Sequence, residues 1–164
     1  MKKIILAATA VAFATPAMAA PGDTATDSGT ATAEIVAPIT ITHDAGAALD
    51  FGIVIPGTTA GTVVVTQAGG GSVTGDALFV SGSSNAADSF TVTGDASRAY
   101  NIVTTGGSVA SGTNTMSFTT DAPASSTLSA TGTDSFSVGG TLSVGANQAA
   151  GVYTGTYSAT VTYN

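Results

Sequence analysis

An all-β fold of antiparallel strands, closed as a sandwich or barrel, is what this sequence predicts, and three observations predict it. Short β-branched runs recur along the chain, separated by Gly, Asp, Asn and Ser. No window beyond the first twenty residues carries the i, i+3, i+4 apolar spacing of an amphipathic helix. The last run alternates without a slip. Tyr153, Gly155, Tyr157, Ala159, Val161 and Tyr163 fall on one face, and Thr154, Thr156, Ser158, Thr160 and Thr162 on the other.

The N-terminus reads as an export signal. Lys2 and Lys3 precede the apolar run Ile4 to Ala14, which is too short to span a bilayer, and Ala17-Met18-Ala19 supplies a small-x-small cleavage pattern. Cleavage is expected after Ala19, giving residues 1–19 as signal peptide and 20–164 as the mature chain. The expected location is the periplasm in transit and the cell surface or the medium afterwards. Removal of the signal takes both lysines with it. Arg98 then stands alone against ten carboxylates, a net charge of −9 with His43 neutral. A chain so poor in cations is not expected to bind nucleic acid or anionic lipid, nor to insert in a membrane once the signal is gone.

Residues 20–29 contain Pro21, Gly22, Asp23, Asp27 and Gly29 and no large apolar side chain. They read either as a flexible tail or as an extended arm able to lie along a sheet edge. Ala31, Ala33 and Ile35 continue on one face. The sandwich domain is assigned to 30–164. Its first run, Thr30 to Ile41, is interrupted by Pro38, which removes a ladder donor and predicts a hinge near Ala37-Pro38. The following runs are Leu49–Ile55, Gly61–Gln67, Ala77–Ser81, Ser89–Thr93, Tyr100–Thr104, Thr115–Thr120, Asp134–Val138, Thr141–Val144 and Val152–Tyr163. Breaks are expected at Gly69-Gly70-Gly71, Gly82 to Asn85, Gly94-Asp95, Gly106-Gly107, Gly112, Gly139-Gly140 and Gly145.

Chemistry is sparse. His43 is the single histidine, so no histidine cluster can hold a metal, and it is expected in an exposed turn beside Asp44. There is no cysteine, which removes disulfides and thiol chemistry. No serine lies in a nucleophile elbow, and Gly69-Gly70-Gly71 is followed by neither lysine nor helix, so it is no phosphate loop. The stretch from Gly69 to Asp76 has only a faint, unrepeated likeness to a glycine-rich calcium loop, so its acid is assigned to turn chemistry. No catalytic residue, metal or cofactor is expected, and the chain is not expected to be an enzyme. Tyr153, Tyr157 and Tyr163, spaced along one strand face, read as core rather than as a sugar-binding stripe.

Several blocks carry a resemblance. Leu49-Asp50-Phe51-Gly52, Pro56-Gly57, Ala60-Gly61-Thr62-Val63, Phe90 to Gly94, Gly140-Thr141-Leu142 and Ala150-Gly151-Val152-Tyr153-Thr154-Gly155 resemble a family of unknown function among Gram-negative exported proteins. The layout is also similar to the spore-coat-protein-U-like subunits of archaic chaperone–usher pili. There the last strand alternates, a tyrosine is next to last and a glycine is fourteenth from the end, as Tyr163 and Gly151 are here. This chain differs from them in lacking the usual disulfide near the first strand.

The pilin resemblance implies an immunoglobulin-like sandwich, either complete or lacking one strand, and a subunit of a surface fibre or coat assembled by donor-strand exchange. Its implied partners are a periplasmic chaperone, an outer-membrane usher and neighbouring subunits. It also implies a donor-strand arm carrying Ala25, Ala31, Ala33 and Ile35. The implied assembly face on the terminal strand is Gly151, Tyr153, Tyr157, Val161 and Tyr163. Of the arm residues only Ile35 is large. The alternative is therefore a self-contained, secreted binding module that recognises carbohydrate or a surface protein through its loops.

Overall fold

The computed structural model describes residue 22 and residues 24–164, so the expected signal peptide lies outside the described residues. Two units are distinguished, Met1–Glu34 and Ile35–Asn164. In the first, residues 24–34 form no strand and are exposed, Ala25, Ala31 and Ala33 among them. The Asp27 carboxylate accepts a bond from the Ser28 backbone N–H.

The second unit is an antiparallel all-β sandwich. Its strands are β1 (Thr40–His43), β2 (Val54–Ile55), β3 (Gly61–Val65), β4 (Gly71–Val73), β5 (Leu78–Phe79), β6 (Asp88–Thr93), β7 (Ala99–Thr105), β8 (Gly107–Ser111), β9 (Asn114–Asp121), β10 (Ser125–Thr127), β11 (Thr133–Val144), β12 (Thr154–Gly155) and β13 (Ser158–Tyr163). The large sheet runs β1-β6-β11-β9-β8-β12, with β3 and β4 joined to it through β11. A second sheet runs β10-β7-β13, and β2 pairs with β5 in a small ribbon.

Period-two patterning explains which face each strand buries. On β11 the even residues Phe136, Val138, Leu142 and Val144 are buried. On β7 they are Tyr100 and Ile102, and on β13 the odd residue Val161 lies opposite Ile102. These faces meet in two clusters. One joins Val92, Tyr100, Ile102, Leu128, Phe136, Val138 and Val161 between the two main sheets. The other joins Val63, Phe118, Leu142 and Val144. Strand β11 contributes to both.

Where strand boundaries differ from expectation, the neighbours explain it. Gly139-Gly140 does not end a strand; it lies inside the twelve-residue β11. A Cβ at Gly139 would stand 2.4 Å from the Val65 carbonyl oxygen, and one at Gly140 2.4 Å from that of Thr119. Glycine here admits the backbones of β3 and β9 on either edge of β11. The run from Val152 to Tyr163 divides into β12, which pairs with β8, and β13, which pairs with β7. Pro38 lies just before β1 and outside every ladder, as its missing donor requires. The β8–β9 hairpin turns through Gly112 and Thr113, with Gly112 at φ 60°, where a type II′ turn needs glycine.

Candidate functional site: the seam between the first and last strands

Among the described residues, strands β1 and β13 are each the edge of their sheet, and each is laddered on one side only. They approach within 8 Å, Cα to Cα, without pairing. At one end of this seam lies a groove of about 370 Å³. Leu49, Phe51, Phe90, Val109 and Phe118 form much of its apolar wall, and the segment Gly155 to Tyr157 forms its far side.

The register of the large sheet builds the wall. His43 pairs with Phe90, and Phe90 with Phe136, which sets three rings side by side across β1, β6 and β11. Phe90 stacks on Phe136 at 5.5 Å between centroids and meets the His43 ring edge-on at 5.1 Å. Tyr157 stands edge-on to both Phe90 and Phe118, and Phe118 meets Phe51 in the same way. Such edge contacts are the favoured aromatic geometry.

One carboxylate interrupts this apolar surface. Asp88 lies on the face of β6 that carries Phe90 and Val92, and its side chain is 5% exposed. Burial of a lone carboxylate is costly, and here every bond comes from a donor at the seam or beside it. His43 Nε2 lies 2.7 Å from Oδ1, the Ser89 backbone N–H donates to the same oxygen at 2.8 Å, and the Tyr157 hydroxyl donates to Oδ2 at 2.7 Å. Burial, and then the bond to Asp88 and its charge, push the Tyr157 hydroxyl far above the usual tyrosine range, so it remains a donor. His43 is thus exposed as expected, but it ends strand β1 instead of sitting in a turn, and it reaches across to a buried acid.

The opposite end of the seam is held by Tyr163. Its hydroxyl donates to the Ala37 carbonyl at 2.9 Å and accepts the Asp95 backbone N–H at 2.6 Å. Gly94 leaves room for it, since a Cβ there would lie 2.2 Å from the hydroxyl oxygen. The Arg98 guanidinium lies 5.7 Å from the centre of the Tyr163 ring.

The sequence match is to DUF4402, described as a domain of unknown function, over residues 39–163. The chain belongs to this family. Comparison with curated proteins and with solved structures finds no match.

Within the DUF4402 domain the terminal tyrosines separate. Val161 is core, and Tyr157 and Tyr163 pack against the same cluster with their hydroxyls bonded inside the compact unit. Tyr153 closes its own loop: its hydroxyl donates to the Ala149 carbonyl and accepts from Gln148. Gly151 lies against Ser111 in the bend before β12. The inward side chains of β13 thus serve the domain's interior, and what lies open is the backbone edge of the strand. Ile35, at the start of the compact unit, is 96% exposed.

Among the described residues of the DUF4402 domain, no group of three or more acids and histidines is disposed to hold a metal, and no helix is long and apolar enough to cross a membrane. Asp76, in the glycine-rich stretch, instead accepts from the Thr58 hydroxyl and the Thr59 N–H. Those threonine bonds hold its carboxyl below the usual range.

Asp88 and the ring row were missed from sequence. The signal was present: Asp88, Phe90 and Val92 share one face at period two, so an acid was directed inward in a chain with a single histidine to meet it.

Proposed function

We propose that this domain is a structural subunit of a surface fibre or coat, and that it assembles by adding an extended segment of a neighbouring subunit to its open strand edges. The observation that carries this reading is the seam. Two edges, β1 and β13, unpaired among the described residues, run side by side to a largely apolar groove at one end, in a chain whose residues 24–34 form no strand and are exposed. Unpaired N–H and C=O groups on an edge template another strand, and an alternating segment supplies both ladder bonds and side chains in register.

The arm's pattern suits such a partner. Outward on β13 are Ser158, Thr160 and Thr162; inward are Ala159, Val161 and Tyr163. The arm repeats that split, with Thr30, Thr32 and Glu34 on one face and Ala31, Ala33 and Ile35 on the other. Threonine pairs already join strands inside the domain, Thr40 to Thr93 at 2.6 Å and Thr62 to Thr74 at 2.8 Å. A cavity of about 150 Å³ holds a benzene, so the groove has room for Ile35 and more. Burial of Ile35 would contribute about 1.5–3 kcal/mol and each alanine methyl under about 1 kcal/mol, so ladder bonds must carry much of the affinity. The resemblance to archaic chaperone–usher subunits supplies the expected handlers, a periplasmic chaperone and an outer-membrane usher.

Deletion of residues 20–35 is the test. The truncated protein is expected to fold and to remain monomeric under conditions in which the full mature chain forms higher-order species by size exclusion and electron microscopy. Normal assembly of the truncated protein overturns the reading. A second reading, a self-contained binding module, is favoured by one observation: the inward face of β13 is already packed in the domain's own core. A mature chain that refolds alone and stays monomeric at high concentration supports that alternative.

A further inference from the structure

We infer that the seam is latched, and that the Tyr163 hydroxyl sets how readily a strand can enter it. The inference rests on the strand-addition reading and names the device that regulates it. Laddered strands lie about 4.8 Å apart, so a strand seated between two edges holds them nearly 10 Å from each other. At their closest, β1 and β13 are within 8 Å. A third backbone does not fit there until the edges part.

No ladder bond holds the edges together. Beyond the packing of Ile39, Ile41 and Val161 in the shared core, hydrogen-bonding side chains do, one at each end. Tyr163 joins the end of β13 to Ala37, ahead of β1, and to Asp95 in the β6–β7 turn. Asp88 joins His43, the last residue of β1, to Tyr157, just before β13. The two latches differ in what they hold. Asp88 is buried in the sheet itself, whereas Ala37 is an exposed residue in a segment that belongs to no strand. The Ala37 end is the one that opens. Release of that hydrogen bond leaves the leader into β1 held by the packing of Ile39 on the core, so that it swings from β13 more readily while the Asp88 end stays fastened and acts as the pivot. The seam is thereby protected against casual edge pairing, yet yields to a segment that offers a full ladder in exchange.

The test compares the full mature chain with its Tyr163→Phe variant, which keeps the ring on the core and removes only the hydroxyl. Amide exchange is followed in residues 36–43 and 158–163, with β6 and β11 amides as the control for folding. Capture of a labelled synthetic peptide of residues 24–39 is timed in parallel. The variant loses both bonds of the hydroxyl, but only the one to Ala37 reaches across the seam, and its loss predicts exchange in the seam and peptide capture each about fivefold faster, with the control amides unchanged. Unchanged exchange and capture equal to the parent's overturn the latch while leaving strand addition standing. Faster exchange with no peptide captured by either protein overturns strand addition, and the gating role with it. Slower capture by the variant also overturns the inference, since the hydroxyl would then be helping to receive the strand.

Discussion

Strands β11 and β13 carry the same kind of sequence, an alternation of apolar and hydroxyl-bearing residues, and the fold uses them oppositely. From Gly139 to Leu142, β11 pairs with β9 on one edge, and from Gly140 onward with β3 on the other. Strand β13 pairs with β7 alone. Both bury one side-chain face. Only β11 buries its backbone as well, and it does so by giving up side chains at the crossing point. Alternation therefore specifies which side chains go inward, and small residues specify where backbones close in. A strand with the first feature and not the second is a candidate edge.

The sharpest way to break this contrast is to place a β-branched side chain at the crossing. Gly140→Val puts a Cβ 2.4 Å from the Thr119 carbonyl oxygen, a backbone atom that cannot turn aside as the nearby Leu49 side chain can. We expect a loss of about 3 kcal/mol or more in urea unfolding, at or beyond the upper end of ordinary overpacking. A stability near the parent's would show that the β9 and β11 backbones can part easily, and the distinction between the two strands would fall.

The next test addresses what joins the edges in place of a ladder. Asp88→Ala leaves the half-buried Tyr157 hydroxyl without its acceptor, whereas His43 is half exposed and can turn to water. The expected cost is about 1–3 kcal/mol, read from urea midpoints. Asp88→Asn keeps the size and one acceptor and should recover part of it.

Titration probes a bond between the two main sheets, from Tyr100 on β7 to Asp134 on β11. Tyr100 is fully buried and its hydroxyl donates to Asp134 at 2.8 Å. Burial first, and then the bond to that carboxylate and its charge, raise it to about 12. The folded state therefore holds this proton more tightly than the unfolded chain, whose tyrosines titrate near 10. The stabilisation is complete below about pH 10 and disappears as pH rises toward 12. Tyr157 adds to the loss in the same direction.

Asp134 behaves oppositely. Burial alone would raise it, but bonds from Ser126, Tyr100 and the Ser135 N–H outweigh burial and hold it below the usual carboxylate range. Its contribution is present above that range and lost as acid protonates it. Thermal melts from pH 8 to 12 should show a steep alkaline fall in the parent. Tyr100→Phe should flatten part of it, and an unaltered fall would remove Tyr100 as its source.

Much of the fold was legible because period-two patterning is local: Phe90-Thr91-Val92-Thr93 and Ala159-Thr160-Val161-Thr162 declare their faces without reference to anything else. Pairing partners were not legible, because they depend on residues far away. Gly139-Gly140 reads as a break when seen alone and as a crossing once β3 and β9 are beside it. The short strands β4, β8 and β10 were absorbed into loops, since Gly71-Ser72-Val73, Gly107 to Ser111 and Ser125-Ser126-Thr127 have too few large apolar residues to stand out. The candidate site divides in the same way. The terminal tyrosines were visible as a face, but their hydroxyl partners, 69 residues away for Tyr157 and 126 for Tyr163, could be found only in three dimensions.

The smallest effect on stability bears most directly on the edge. Thr160 points outward from the middle of β13, opposite Val103 in the β7 ladder, and is exposed. Thr160→Lys leaves the core face and the ladder to β7 in place, so unfolding should shift by no more than about 0.5 kcal/mol. A lysine on a strand edge nonetheless opposes the approach of another strand, because its charge must be desolvated or displaced when a neighbour pairs beside it. A matched change on the laddered strand, Ser143→Lys on β11, should be similarly mild in stability and neutral in assembly, since both edges of β11 are already occupied there or close by. Assembly of the full mature chain, followed by size exclusion, should therefore fall with the β13 lysine and persist with the β11 lysine. Equal behaviour of the two variants would mean that the open edge of β13 takes no part in association.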